Sequence, residues 1–213
     1  MNDVIQPAST PADGPVPFFF GGRLCLDFIN TVNSRSRPAT KDYLPDYAAV
    51  LGWCRQTGLF DETALRRLEE QARSAPDKAA GAYAVMIALR EALHRIFHSV
   101  IARSHPPEGD MLLLNGRLRE ARGTQVLAAA GGDFCWTWDV ARLDLNSPAY
   151  AVAVSAARVL TEENLARIKE CPAPDGCGWL FYDETKNASR RWCSMEHCGG
   201  TAKARRYAAR HRA

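Results

Sequence analysis

Apolar residues recur at three- and four-residue steps along much of the chain, and that period predicts helices. The longest run carries Val85, Met86, Leu89, Leu93, Ile96, Phe97, Val100 and Ile101 on one side. It is expected to start at Asp77 and to stop at Pro106 and Pro107. Ahead of it, Asp46 precedes a helix with Tyr47, Val50, Leu51 and Cys54 on one face, closed by Gly58. Asp61 opens another that aligns Leu65, Leu68 and Ala72. Residues 108–122 continue in helical style through Leu113, Leu114 and Leu118. The run from Leu24 to Thr31 is apolar and β-capable behind Gly21-Gly22; its length leaves strand and short buried helix both open.

The period drops to two between residues 124 and 140. Segments 124–130 and 133–140 flank Gly131-Gly132, a hairpin signal, and Phe134, Trp136 and Trp138 alternate so that one hairpin face is aromatic. Ser147-Pro148 then starts a helix whose Ala151–Leu160 stretch is built from small residues. Residues 33–42 read as a polar, basic loop, and residues 1–17, with Pro7, Pro11, Pro15 and Pro17, as a flexible leader. The expected fold is α+β, mainly α. A helical domain with a small β-hairpin covers residues 18–165, and a small C-terminal module covers 166–213.

The 213 residues are 46% apolar and 24% charged, an ordinary globular composition. No apolar run reaches the ~20 residues that span a bilayer, and the first 17 residues lack a secretory pattern, so a cytoplasmic protein with no membrane partner is expected. Four of the seven cysteines fall between Cys171 and Cys198, while Cys25, Cys54 and Cys135 stand singly in apolar stretches. That distribution suits a reducing compartment rather than a disulfide scaffold. The single cysteines read as core residues, with a redox-sensing thiol as the alternative.

The spacing Cys171-x5-Cys177-x15-Cys193-x4-Cys198 suits one tetrahedral Zn2+; a reduced cluster or a redox pair is the other reading. Four thiolates close the metal's coordination, which argues for a structural site without an open catalytic position. Trp179–Tyr182 is expected as a strand, 183–189 as a turn, and Arg190–Trp192 as the returning strand. Ser194 would cap a helix running to about Arg212, with His197 as a substitute ligand. This order of knuckle, hairpin and helix is treble-clef-like.

Charge sharpens the picture at this end. From Lys186 onward eight basic residues face the single acid Glu196, for a net +7; the whole chain carries +3, so residues 1–185 carry −4. A basic end on an acidic body points to an anionic partner, DNA first, with a solvated tail as the bland alternative. Lys203, Arg206 and Arg210 share a helix face, Arg205 lies beside them, and Arg190 and Arg191 flank the metal site.

These residues also carry a resemblance. Cys177-Gly178-Trp179-Leu180-Phe181-Tyr182-Asp183, Asn187, Ser189-Arg190-Arg191-Trp192-Cys193-Ser194-Met195, Cys198-Gly199 and Lys203-Ala204-Arg205-Arg206 closely resemble the CGNR-type zinc finger. That finger closes bacterial proteins grouped as stress-induced transcription regulators. Their upstream ABATE domain typically opens with a stretch similar to Gly21-Gly22-Arg23-Leu24-Cys25-Leu26-Asp27-Phe28-Ile29-Asn30-Thr31. The resemblance covers about residues 18–212 and implies a regulator that binds DNA through its finger. Two departures stand out: Gly200 and Thr201 occupy the places of the motif's Asn and Arg, and the first cysteine loop is one residue longer.

In the body, Asp27, Asn30, Thr31 and Arg35 set polar groups beside an apolar run and could line a pocket for a small-molecule or protein signal; capping and turn chemistry is the competing reading. His94 and His98 are four apart, a metal-compatible spacing, without the Glu of a His-Glu-x-x-His pattern. Neither a Walker loop, nor a dinucleotide fingerprint, nor a nucleophile elbow is present, so no enzymatic activity is expected. The rival functions are RNA binding, docking of an acidic protein and, furthest off, an enzyme in the N-terminal domain. A homodimer is open.

Overall fold

The computed structural model describes residues 14, 16–39, 41–173 and 175–211. The expected leader lies outside the described residues, apart from 14, 16 and 17; so does Arg212. Residue 16, expected within the leader, is instead fixed on the body. Val16 is fully buried, and its backbone N–H and carbonyl both bond the Gln56 amide, at 3.2 and 3.0 Å.

Helices dominate: α1 (Leu24–Ile29), α2 (Tyr47–Gln56), α3 (Glu62–Ser74), α4 (Pro76–Ala102), α5 (Glu108–Arg122), α6 (Ser147–Glu162) and α7 (Gly200–Arg210). Within the Leu24–Thr31 run, Leu24–Ile29 is therefore helix. Its residues Cys25 to Ile29 are all buried, which a one-sided amphipathic pattern cannot signal. The aspartate caps are in place. Asp46 accepts the Ala49 N–H at 2.8 Å and Asp61 the Ala64 N–H at 2.7 Å, each worth about 1 kcal/mol. Two bounds differ from expectation. Helix α4 starts at Pro76, where a missing N–H costs nothing, and ends at Ala102 because Arg103 turns left-handed (φ 53°), ahead of the prolines.

Helix α4 is the hub, packed by α1, α2, α3, α5 and α6. The core is set by Phe28, Trp53, Met86, Leu89, Leu93 and Phe97, and by the small residues Ala149, Ala153 and Ala156, which let α6 approach closely. Arg90 of α4 is buried but not unpaired. It makes a two-pronged bond to Asp42, at 2.8 and 2.6 Å, and donates to Thr31 Oγ1 at 3.1 Å, tying the 33–42 loop to the helix.

Two antiparallel pairs complete the fold. Strands β1 (Gln125–Ala130) and β2 (Asp133–Trp138) join through Gly131 and Gly132 at φ 59° and 94°, the left-handed pair that a tight hairpin demands. Strands β3 (Ile168–Glu170) and β4 (Leu180–Tyr182) flank the first two metal-site cysteines. Here the expectation needs correcting: Arg190–Trp192 is not a strand, and β4 pairs upstream with β3. Asp183 explains the turn away. Its side chain accepts from Thr185 N–H and Thr185 Oγ1, and from Arg190 N–H at 2.8 Å, holding 183–190 as a looped turn rather than a strand return. Among the described residues, no helix is long and apolar enough to cross a membrane.

Candidate metal centre

The first cysteine pair sits on a knuckle between β3 and β4. Cys171 N–H donates to Trp179 O at 2.9 Å, and Gly178 N–H returns to Cys171 O at 3.2 Å. Gly178 has φ 63°, and a Cβ there would meet the Ser36 N at 2.5 Å, so both conformation and space exclude a side chain. The second pair brackets the start of the C-terminal helix. Ser194 follows Cys193 and accepts the His197 N–H at 3.2 Å, as an N-cap should. A wide turn over Met195–Gly199 then carries Cys198 inward before α7 begins.

The four Sγ atoms lie within 4.8 Å of one another. Cys177 and Cys193 are 3.7 Å apart, Cys193 and Cys198 3.5 Å. Tetrahedral zinc with Zn–S bonds of ~2.3 Å requires S···S separations of roughly 3.8 Å, so donor type and spacing both fit that ion. Hydrogen bonding among the sulfurs pushes the Cys171 thiol below the ordinary thiol range and Cys177 and Cys193 above it. His197 is outside this set; its ring lies 4.5 Å from Phe18 and its Nδ1 bonds Ser194 Oγ at 3.1 Å.

The centre is bonded to the body along one continuous line. Asn30 behaves as a substitute strand: its Nδ2 donates to Leu180 O at 2.8 Å, and Leu180 N–H donates to its Oδ1 at 3.0 Å. Tyr182 N–H donates to Gly21 O at 2.8 Å, Trp179 Nε1 to Val32 O at 2.7 Å, and Arg35 N–H to the carbonyl of the ligand Cys177 at 2.7 Å. Leu180 and Tyr182 consequently belong to the body's core, whereas Trp179 and Phe181 pack around the cysteines.

The residues expected to line a pocket are thereby accounted for. Asp27 accepts Gly21 N–H at 2.7 Å, and Asn30 clamps β4. Thr31 Oγ1 donates to Phe28 O and accepts from Arg90. Arg35 bonds Ile29 O and Glu91 and lines a cleft with Asp42 and Arg90. A larger cavity of about 630 Å³ lies elsewhere, under the metal centre. Its walls are Phe18, Phe20, Tyr43, Trp179 and His197, with Arg37 and Asp175 among its polar lining, and it reaches Cys177, Cys193 and Cys198.

The basic residues divide into two groups. Arg190 is turned inward, with Nε to Trp192 O at 3.1 Å, Nη2 to Phe20 O at 3.0 Å and to Cys193 O, and the guanidinium 4.6 Å over the Phe181 ring. Arg191, Lys203, Arg205, Arg206 and Arg210 are exposed. Lys169 and Asp183, which the sequence analysis did not single out, support the inward group. Lys169 Nζ bonds Asp183 Oδ2 at 2.6 Å and the carbonyls of Ala188 and Arg190. Burial pushes the Asp183 carboxyl up, but Lys169, Thr185 and the Arg190 amide outweigh it and hold it below the usual carboxylate range.

Titration separates the remaining candidates. Burial pushes the Cys25 thiol up to about 12 and raises Cys54 as well, consistent with inert core cysteines. Burial, aided by Arg35, lowers His94 to about 4; His98 instead lies 3.7 Å from Glu170. Burial raises Asp27 to about 7 against the opposing Gly21 N–H bond and the nearby Arg190 and Arg23. A carboxyl with a raised folded pKa binds its proton more tightly when folded. Its contribution is therefore full below its unfolded pKa of about 4 and is lost as pH rises towards 7. Asp27→Asn, which keeps an acceptor for Gly21, should escape that loss. The melting temperature of the zinc-loaded variant relative to wild type should climb from pH 5.5 to pH 7.5, by several degrees for about 2 kcal/mol. A pH-independent difference would mean that Asp27 does not titrate in this range.

The family model described as "Putative stress-induced transcription regulator" (ABATE) matches residues 22–163, two-thirds of the chain, and that of the CGNR zinc finger matches residues 167–211. Comparison with curated proteins gives no match. With that finger, the four clustered cysteines are the donors for one zinc ion.

Proposed function

Because the chain belongs to the ABATE family and ends in a CGNR zinc finger, we propose that it regulates transcription by binding DNA through that finger. Binding and release, without turnover, are its chemistry; both families are of regulatory or zinc-finger type. In this reading Cys171, Cys177, Cys193 and Cys198 hold the zinc that frames the finger, and Arg191, Lys203, Arg205, Arg206 and Arg210 meet phosphates. The observation that carries the reading is an exposed cationic helix set directly behind two zinc ligands, on the side of the chain that holds its +7. Arg190 drops out of the contact set because its guanidinium is committed to carbonyls of the frame.

Residues 18–165 act as the sensing part and 166–213 as the effector part. The cavity under the zinc supports this division of labour, since its walls come from both sides of the seam: Phe18, Phe20, Arg37 and Tyr43 from one, Trp179 and His197 from the other. A signal bound there would touch the finger directly.

Salt titration of duplex binding by the zinc-loaded protein tests the proposal. Five phosphate contacts give a log–log slope of roughly −4 to −5, and Lys203→Ala with Arg206→Ala and Arg210→Ala should flatten it by roughly 3. A slope that does not change in the triple variant removes α7 from the interface. Tighter binding to RNA of the same sequence would select RNA as the partner instead.

A further inference from the structure

The β1–β2 hairpin is the most exposed apolar feature among the described residues. Leu127, Phe134 and Trp136 are 57, 73 and 58% exposed, and the register places all three on one face, with Leu127 directly opposite Trp136 and Ala129 opposite Phe134. Trp138 at the base is instead packed on Phe60, their rings 6.3 Å apart. On the other face Val126 is 40% exposed. The two strands carry a single charged residue, Asp133, and form a sheet of their own with both outer edges unpaired. A solvated hairpin normally has charges, prolines or bulges on its edges, and an isolated two-stranded sheet is marginal in water. This one has only Asp133 beside the turn, and its face is too large to be incidental.

We propose that this face is an interface with a second copy of the chain, forming a reversible two-fold dimer. Charge argues for self-association. Face residues 127, 129, 134 and 136 carry no charge, so they offer an acidic or basic partner nothing to pair with, yet they meet their own symmetry mates without repulsion. Area argues the same way. Exposed fractions of this size on two aromatic and one leucine side chain leave roughly 400–450 Å² of apolar surface per copy. Two copies face to face, with the rim, bury on the order of 1,000 Å², where specific but weak association begins. Aromatic anchors at the centre of such a patch are the usual source of its affinity. A concentration-dependent dimer is therefore the expected state.

The test uses the full zinc-loaded chain in sedimentation equilibrium from 1 to 300 micromolar. Wild type should pass from monomer to dimer within that range. Phe134→Glu and, separately, Trp136→Lys should each raise the dissociation constant at least tenfold while zinc content and melting temperature stay at wild-type values, because both side chains are exposed in the monomer. Amide exchange supplies a second readout: protection of residues 125–138 should rise with concentration in wild type and not in Phe134→Glu. A wild type that stays monomeric throughout overturns the proposal. So does a dimer that survives both substitutions, which would place its interface elsewhere, or a monomer whose hairpin instead binds phosphatidylcholine vesicles. None of these outcomes depends on whether the finger binds DNA.

Discussion

Cys193→Ser should leave the protein without zinc. A hydroxyl at that place gives up a thiolate lying 3.7 and 3.5 Å from two partner sulfurs, and three ligands do not close a structural site. Metal analysis should fall from one equivalent to near zero. Structural zinc sites in small fingers contribute about 10–16 kcal/mol of binding near neutral pH, far more than a finger of this size gains from its own packing. The loss should also spread beyond the finger. Leu180 and Tyr182 complete the body's core, and Asn30 is buried with both polar ends of its amide bonded to β4. With β4 gone, that amide is buried without partners, at a cost of about 1–3 kcal/mol. The body should then melt several degrees lower. Chelation of wild type should reproduce both changes. Full zinc occupancy in the serine variant would show that another residue completes the site.

Arg190→Ala should be the most damaging of the basic substitutions, and for a reason unrelated to charge on a partner. Its guanidinium holds together four carbonyls from three stretches of chain: Phe20, Tyr182, Trp192 and Cys193. Hydrogen bonds involving a charged group contribute about 1.5–3 kcal/mol each, and removing this one side chain strands several acceptors together. A loss of about 3 kcal/mol, with faster zinc release to a chelator, is the expected result. Arg190→Lys should recover little of it, since a point cation cannot serve so many directions. Arg191→Ala should leave stability and zinc retention unchanged and weaken nucleic-acid binding alone. If Arg190→Ala melts like wild type and loses only DNA affinity, the inward assignment of this residue is wrong.

These two arginines show where sequence stops being informative. Adjacent and chemically identical, they read alike as basic residues of a finger. What separates them is Asp183, seven residues upstream of Arg190, which captures the Arg190 N–H and points its side chain back across the frame. The four cysteines were legible because zinc imposes its own spacing on any chain that binds it. The long helices were legible because one face of each meets the core. Helix α1 was not, being buried on all sides, so that no periodicity survives. Strand β3 was not, because three residues are too few to show a period and its pairing is decided by the knuckle that follows it. The large cavity was invisible because its walls come from residues 18–43 and 175–198, brought together only by the fold. Of the pocket residues expected from polarity alone, Asp27 and Thr31 are used up in bonds within the body, and Asn30 in joining it to β4.

The amide of Asn30 has a consequence for modularity. Because one side chain of the body closes the sheet edge of the finger, the two cannot be traded like interchangeable cassettes. A finger grafted onto a foreign scaffold would arrive with an unsatisfied strand and two greasy side chains, Leu180 and Tyr182, facing water. A body given a different tail would keep a buried amide with nothing to hold. A substitute partner on either side therefore has to supply its own equivalent of that asparagine.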